Sequence, residues 1–323
     1  MEAQGRGIKG DVSGTACCSA PATPSGINPR LRKFTAAQMI SALLLSAMVL
    51  SWSSAFIGYR YVSEHSGVML ATFWRFVLAA ALLLPLVWRQ LGELSWRNWA
   101  DQGVVGLLGI AGYIGPIAAS IALGVAPGTS SLIANLLPLS IVLLAGFVPG
   151  QATRGWQWLG IGLCLIGMLI ASGSSLEFSR ASIWAYSLPL LGVASLALAT
   201  IYQKQSRHPP LPGLVGLFIQ VCAILPVFAL LALHEGSLRP VLASGFGFGV
   251  LWLVVFGTLG GYGFYWLCLR RFTLQSVSGA LFLTPPVTML WAYLQFGDPL
   301  AVSALVGVAL TLAGLPFLKR AQP

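Results

Sequence analysis

The feature of this sequence that most constrains its fold is a series of ten long apolar runs almost free of charge. They cover residues 37–58, 68–88, 103–123, 129–149, 156–174, 182–203, 213–233, 247–269, 276–296 and 300–318. Each run has about 20 residues, which as a helix is long enough to cross a hydrocarbon layer of about 30 Å. Apolar and polar residues do not alternate within the runs, so we expect membrane-spanning helices rather than barrel strands.

Charged residues are scarce and lie almost entirely between the runs. Of the 323 residues, 57% are hydrophobic and 8% are charged, whereas a soluble globular chain carries about a quarter charged residues. The composition therefore excludes a water-soluble globule, and the high hydrophobicity excludes a chain that is disordered throughout. Arg75 is the one charged residue within the runs.

The basic residues predict the orientation of the chain in the membrane. With the N-terminus in the cytoplasm, the cytoplasmic segments hold 14 basic residues and the outer loops hold three, Arg60, Arg180 and Arg239. This bias follows the positive-inside rule, and an even number of spans places both termini in the cytoplasm. The net charge of +10 therefore indicates a lipid bilayer as partner. No basic stripe of the kind that binds nucleic acid is present.

Residues 1–36 differ in composition from the rest of the chain. They are rich in Gly, Ser, Ala and Pro, and we expect a disordered cytoplasmic tail. The apolar run that follows is too long for the hydrophobic region of a cleaved signal peptide. Cys17 and Cys18 lie in this tail and the other three cysteines lie in the runs, a pattern that predicts neither a disulfide framework nor a metal site.

The sequence contains an internal repeat. When residues 131–167 are compared with residues 278–314, a shift of 147, ten of 37 positions are identical, including one pair of prolines and three pairs of glycines. One run earlier, Gly112-Tyr113 matches Gly261-Tyr262 at a shift of 149. The ten runs therefore divide into two halves of five.

The odd number of runs in each half predicts an inverted repeat. The halves are residues 37–174 and 182–318, and the second half must enter the membrane from the side opposite to the first. Such repeats are typical of alternating-access carriers, which bind a small-molecule substrate near the membrane midplane. Pairs of small residues four positions apart predict close helix packing, within a monomer or in a homodimer.

Several short motifs resemble a known family. The first run reads Trp52-Ser53-Ser54-Ala55-Phe56-Ile57-Gly58, the second contains Arg75, and Pro285 precedes Gly297-Asp298 and a glycine-rich last run. In their order and spacing these features resemble the drug/metabolite transporter superfamily, specifically its EamA-type ten-helix members. The resemblance implies a carrier in a bacterial inner membrane that moves small metabolites, often amino acids or related compounds, usually outward.

Three positions depart from the family's pattern. The family usually has Glu after the glycine that ends the fourth helix of each half, where this chain has Gln151 and Asp298. The usual Trp-Gly of the first helix is here Trp52-Ser53. These changes concern details of the inner gate rather than the fold.

Arg75 is the sharpest functional signal in the sequence. A charge within a spanning helix is unfavourable by a few kcal/mol unless it is paired or reaches the interface, so it marks a candidate site. Two interpretations stay open. In the first, the side chain is a structural anchor that bonds helix-end carbonyls or a lipid phosphate. In the second, its planar guanidinium binds a substrate carboxylate through two parallel hydrogen bonds.

Prolines and uncharged polar residues supply further candidates. Pro138, Pro285 and Pro286 lie in mid-run, where proline frees a backbone carbonyl, and we expect kinks that line a cavity or act as hinges. Simple structural kinks are the alternative. Asn135, three residues before Pro138, and Thr284 are candidate cavity residues, although such groups also bond their own helix backbone.

Aromatic residues predict a mostly apolar cavity for a small organic solute, or alternatively a lipid-facing surface. The candidates are Trp52, Phe56, Tyr113, Tyr202, Tyr262 and Trp266.

The sequence lacks the chemistry that other membrane functions need. It has no Walker loop for ATP-driven pumping. No His, Asp or Glu lies within a run, so a membrane protease or metalloenzyme lacks its groups, and we expect no cofactor and no enzyme activity. Glu64 and Asp298 at the outer helix ends are candidate gating or coupling acids; otherwise transport is uniport-like. We therefore predict a secondary transporter, with a channel, a scaffold or a membrane-embedded enzyme as alternatives.

Overall fold

A computed structural model of the chain describes residues 29–63, 65–125, 127–147, 155–172, 181–206, 211–297 and 302–319. Every regular element in these ranges is a helix, so the described part of the chain is all-α. Ser41–Pro323 forms one unit. The predicted tail lies outside the described residues except for 29–36, which are helical.

We number the α-helices in chain order. Those of the first half are α1 Pro29–Ser63, α2 Val68–Leu91, α3 Trp96–Gly106, α4 Gly112–Ala122, α5 Pro127–Ala134, α6 Leu137–Ala145 and α7 Gly155–Ser172. Those of the second half are α8 Ser187–Gln205, α9 Gly213–Glu235, α10 Ser244–Trp252, α11 Gly263–Arg271, α12 Leu274–Leu281, α13 Thr284–Phe296 and α14 Val302–Lys319. Two π-helical segments, Leu107–Ala111 and Leu253–Tyr262, join α3 to α4 and α10 to α11.

Seven helices are long and apolar enough to cross a bilayer. They are Gln38–Ser63, Val68–Leu91, Trp96–Ile121, Ile183–Gln205, Gly213–Glu235, Ser244–Arg271 and Leu274–Phe296. Three shorter apolar helices, Leu132–Ala145, Gly155–Ile170 and Leu305–Phe317, coincide with the other three predicted runs. The helical, multi-pass character is therefore confirmed, and the count of ten crossings stays a prediction.

The exposed surface of the helices is largely apolar, as a surface facing lipid requires. Leu86 is 63% exposed, Leu230 is 68% exposed and Leu294 is 69% exposed. In water such a surface would be a large unpaired apolar patch, so a bilayer is the environment that these helices fit.

Two of the predicted runs are broken in the middle. A turn at residues 135–136 separates α5 from α6, and a turn at 282–283 separates α12 from α13. These turns are 147 residues apart, the same shift that relates the repeated sequences. Pro138 and Pro285 lie in the first turn of the helix after each break, where a missing N–H leaves no bond unmade. The prolines therefore lie in the first turn of a new helix, and their role as kinks or hinges stays a prediction.

The two π-helical segments also occupy matching places. One ends just before Gly112-Tyr113, and the other ends at Tyr262 of the matching Gly261-Tyr262 pair. A π-helical turn is wider than an α-helical turn and is common at functional sites. Both halves therefore carry the same two irregularities, a π-helical segment and then a broken helix.

A glycine contact joins α7 to α14. A Cβ atom added to Gly167 would lie 2.6 Å from the backbone oxygen of Gly307, and one added to Gly314 would lie 2.7 Å from that of Gly160. Gly307 is the repeat partner of Gly160, and Gly314 is that of Gly167. The contact is therefore reciprocal, as in an isologous interface. Because the higher-numbered glycine of each helix faces the lower-numbered one of the other, α7 and α14 run in opposite directions.

Glu235 at the end of α9 caps the start of α2. Its carboxylate oxygens accept hydrogen bonds from the backbone N–H groups of Met69 and Leu70 at 3.0–3.1 Å. The first turn of α2 contains no acidic residue of its own. A carboxylate there satisfies free N–H groups and interacts favourably with the helix dipole. Sequence analysis did not single out Glu235.

Gly167→Val should destabilise the protein by about 1–3 kcal/mol, the usual effect of overpacking, because the added side chain meets the backbone of α14. The measurement is the thermal unfolding of the purified protein in detergent. Gly162→Val is the matched control on the same helix, since nothing lies within 4 Å of a Cβ atom at that position. Equal destabilisation by the two substitutions would contradict the close contact.

Glu235→Gln should lower stability by about 0.5–2 kcal/mol, because an amide cannot supply the negative charge at the start of α2. Thermal unfolding at neutral pH measures this change. Glu93→Gln removes an exposed acid outside this contact and should leave the unfolding temperature unchanged. A loss of stability with Glu93→Gln as large as that with Glu235→Gln would count against the capping role.

Candidate functional site

Five aromatic side chains form a contiguous group, which we call the aromatic cluster. Trp52 of α1 lies at its centre, with ring centroids 6.3 Å from Tyr113, 5.3 Å from Tyr262 and 5.3 Å from Tyr265. Trp266 completes the cluster at 4.9 Å from Tyr265. The cluster therefore joins α1 and α4 of the first half to the second π-helical segment and α11 of the second half.

The aromatic cluster is buried, and one of its polar atoms has no hydrogen-bond partner among the described residues. Trp52 is the most exposed member, at 9%. The indole N–H of Trp266 is buried without an acceptor in the described part of the chain. Tyr265 differs, because its hydroxyl bonds to that of Thr200 on α8. Buried donors without partners are rare in proteins and fit a site that a ligand completes.

Arg75 of α2 is buried in the protein, with 2% of its surface exposed. Its Nε donates to the hydroxyl of Thr258 at 2.7 Å, and its Nη1 donates to the hydroxyl of Tyr59 at 3.0 Å. The Tyr59 hydroxyl also lies 3.2 Å from that of Thr72. The guanidinium carbon is 5.1 Å from the ring centroid of Phe76. The partners of this cation among the described residues are therefore neutral groups.

No carboxylate of a described residue forms an ion pair with Arg75. A buried charge without a counter-ion is unfavourable, so a charge of this kind fits a site for an anion. Arginine has five N–H donors, and the two hydroxyls engage two of them. A Cβ atom added to Gly257 would lie 3.0 Å from Nη2, so glycine is needed beside the guanidinium.

Arg75 and the aromatic cluster are adjacent along two elements. Its partner Tyr59 lies seven residues after Trp52 on α1, two helical turns further along the same face. Its partner Thr258 lies four residues before Tyr262 in the second π-helical segment. The cation and the aromatic rings are therefore neighbours and form a candidate site with a charged end and an apolar wall.

The structure places three other candidates inside the protein. Thr284 is buried at the start of α13, where its backbone oxygen accepts a hydrogen bond of 3.1 Å from Ser53 and its hydroxyl has no partner among the described residues. Asn135 is half-buried in the break between α5 and α6. Phe56 is half-buried and packs against the core.

The remaining candidates lie elsewhere or cannot be placed. Tyr202 is 40% exposed, and its hydroxyl donates to Asp101 at 3.0 Å, so it is not part of the aromatic cluster. Glu64 and Asp298, the predicted gating or coupling acids, lie outside the described residues, as does Gln151.

Sequence analysis missed several residues of the site. Tyr59, Thr258 and Tyr265 were not selected, although Tyr59 stands two helical turns after Trp52 and Tyr265 is next to Trp266. The seven-residue spacing in α1 was the available signal for Tyr59. Thr258 carried no such signal, because a threonine in an apolar run usually bonds its own helix.

Comparison with known proteins shows that the chain is similar to transporters. Residues 39–173 match the EamA-like transporter family. Over 277 residues the chain is 26% identical to a protein of Salmonella typhimurium named "Probable amino-acid metabolite efflux pump", covering 83% of this chain and 91% of that protein. The resemblance to the drug/metabolite transporter superfamily is confirmed.

Two further relatives are named as an exporter and a transporter, and one solved structure shares the fold. The chain is 24% identical to the "Probable terminal-alkyne amino-acid exporter" of Streptantibioticus cattleyicolor, over 86% of this chain and 92% of that protein. It is 24% identical to the "Uncharacterized inner membrane transporter YedA" of Escherichia coli, over 76% and 79%. A crystal structure with 18% identity superposes with a TM-score of 0.74, covering 87% of this chain and 96% of that one, which shows the same fold.

Thr258→Val should destabilise the protein by about 1–3 kcal/mol, because it leaves the buried Nε of Arg75 without an acceptor. Thermal unfolding in detergent measures the effect. Thr288→Val is the matched control, since the Thr288 hydroxyl bonds only the Thr284 backbone oxygen of its own helix. If both variants unfold at the same temperature, the hydrogen bond between Thr258 and Arg75 does not contribute to the stability of the protein.

Proposed function

We propose that this chain, a multi-pass inner-membrane protein of the EamA-like transporter family, is a secondary exporter of small amino-acid-type metabolites. It works by alternating access and is built from ten spans, arranged as two inverted repeats of five with both termini in the cytoplasm. The observation that carries the proposal is the buried Arg75 beside an aromatic cluster to which both halves contribute.

Three paired features support the inverted repeat. The two helix breaks are 147 residues apart, each half has a π-helical segment one span earlier, and the glycine contact between α7 and α14 is reciprocal. Helices at equivalent positions of an inverted repeat run in opposite directions, as α7 and α14 do. A parallel repeat would place equivalent helices in the same direction.

Alternating access follows from such a repeat. When the two halves exchange their conformations, a site between them that is open to one side of the membrane opens to the other. Trp52 and Tyr113 come from the first half, and Tyr262 and Trp266 come from the second. A relative movement of the halves would therefore reshape the aromatic cluster directly.

The chemistry of the site supports a carboxylate with an apolar or aromatic body as substrate. The free N–H donors of Arg75 suit a carboxylate, which can accept two parallel hydrogen bonds. The rings of the aromatic cluster suit an apolar side chain. Two relatives carry amino-acid export in their names, and we extend that substrate class to this chain.

The test is counterflow in liposomes containing the purified protein, across a panel of the twenty α-amino acids and small carboxylates. We expect saturable exchange of at least one amino acid. A folded sample that exchanges no member of the panel would contradict the proposal, and conductance without saturation would favour a channel.

Arg75→Lys keeps the charge but loses the planar guanidinium, which can form two parallel hydrogen bonds with a carboxylate. We expect this substitution to lower kcat/KM at least about tenfold. Arg239→Lys, at an exposed position, is the matched control and should exchange normally.

A further inference from the structure

A cavity lies at the C-terminal end of α11, one of the helices that carry the aromatic cluster. It has a volume of about 550 Å³ and is lined by ends of α3, α8, α9 and α11, including Asp101, Gln102, Gln203, Lys204 and Arg270. The basic residues assign these ends to the cytoplasm. The volume is within the range of small-molecule sites.

The cavity contains charges of both signs. Asp101, half-buried on α3, supplies a carboxylate, and Lys204 and Arg270 supply two cations. Sequence analysis did not place Asp101 in a span, because it set the start of that run at residue 103, whereas the helix begins at Trp96. A wall with both an anion and cations fits a ligand that also carries both charges.

Backbone contacts hold the two cations at the cavity wall. The Lys204 ammonium donates to the backbone oxygens of Leu269 and Phe272, at the C-terminal end of α11. The Arg270 guanidinium donates to the backbone oxygen of Leu211, just before α9. An ammonium has three donors and a guanidinium has five, so both groups retain donors for a ligand carboxylate.

Gln102 and Gln203 line the cavity, a third glutamine, Gln220, bonds Gln102, and we call the three the glutamine layer. Gln102 Nε2 donates to Gln203 Oε1 at 3.2 Å, and Gln102 Oε1 accepts from Gln220 Nε2 at 2.7 Å. Gln220 is 1% exposed, and its Oε1 has no hydrogen-bond partner within the described ranges. A buried amide oxygen of this kind can accept a bond from a ligand N–H.

The cavity and the aromatic cluster follow one another along the same helices. On α8, Thr200, which bonds Tyr265 of the cluster, lies one turn before Lys204. On α11, Trp266 of the cluster lies one turn before Arg270. One turn of helix is about 6 Å for four residues. A solute leaving the cavity along these helices would therefore next meet the cluster.

We propose that this cavity is the cytoplasmic loading site for a zwitterionic amino acid, and that the glutamine layer is the gate between it and the aromatic cluster. Lys204 and Arg270 bind the carboxylate, and Asp101 binds the ammonium group. When the three glutamines of the layer move apart, their amides exchange the hydrogen bonds between them for hydrogen bonds to the passing solute. This inference rests on the proposed export function and makes it more specific, since Arg75 alone selects for a carboxylate and not for an ammonium group.

The test is leucine counterflow in inside-out membrane vesicles, whose outer surface is the cytoplasmic face, with right-side-out vesicles for comparison. The competitors are 4-methylpentanoate, which lacks the ammonium group, and 3-methylbutylamine, which lacks the carboxylate. If another amino acid of the panel is exchanged faster than leucine, that amino acid is used instead. Its competitors are then its own analogues without the ammonium group and without the carboxylate. At the cytoplasmic face of the wild type, we expect leucine to compete at least about tenfold better than either analogue.

Asp101→Asn should raise the KM at the cytoplasmic face about tenfold and make 4-methylpentanoate as good a competitor as leucine. Arg270→Gln should make 3-methylbutylamine a better competitor relative to leucine, because the variant has lost a group that binds the carboxylate. Since Arg270 is exposed, this substitution serves as the test if Asp101→Asn does not fold. Glu93→Gln is the control, because it removes an acid at the same face outside the cavity.

Two outcomes separate this inference from the function on which it rests. If the wild type exchanges leucine or another amino acid but Asp101→Asn leaves the ranking of competitors unchanged, the loading site is wrong and the exporter stands. If the wild type exchanges no amino acid, the exporter itself fails, and the loading site fails with it. A KM change of equal size at both membrane faces would also overturn the loading site.

Discussion

A peptide group inside a hydrocarbon layer has no water to bond, and this restriction governs where the chain can depart from a regular helix. The two helix breaks lie against packed protein. Pro138 and Pro285 are buried beside them, and the backbone oxygen of Thr284, at the start of α13, accepts a hydrogen bond from Ser53 of another helix. Irregular backbone and the residues that line a site are therefore found together, because only packed protein or a polar cavity can satisfy both.

The same restriction applies more strongly to charge. Arg75 is held by hydroxyls from α1 and from the second π-helical segment, which makes its position depend on two elements that are distant in sequence. Among the described residues no acid neutralises the charge of this cation. This distinguishes Arg75 from Lys204 and Arg270 at the helix ends, which bond backbone oxygens close to the surface.

The sequence was sufficient to predict helices, their approximate positions and the isolation of Arg75, because run length and charge placement carry that information directly. It did not reveal the helix breaks, since the residues on either side are equally apolar. The partners of Arg75 were also not predictable: Thr258 is 183 residues away, and no local pattern marks it. Asp101 and Glu235 were overlooked because the predicted runs stop short of both residues. The helices are longer than the runs: α3 contains Asp101, and Glu235 is the last residue of α9.

Because the glycine contact between α7 and α14 is reciprocal, the effect of a substitution at Gly167 depends on the residue at position 314. A methyl group at Gly167 must move α14 away from α7, and the movement widens the gap at Gly314, seven residues along the partner helix from Gly307. The second methyl group then enters space that the first has already opened. Substitutions at Gly167 and Gly314 are therefore sub-additive in free energy, and during sequence divergence either glycine is easier to lose once the other has been replaced.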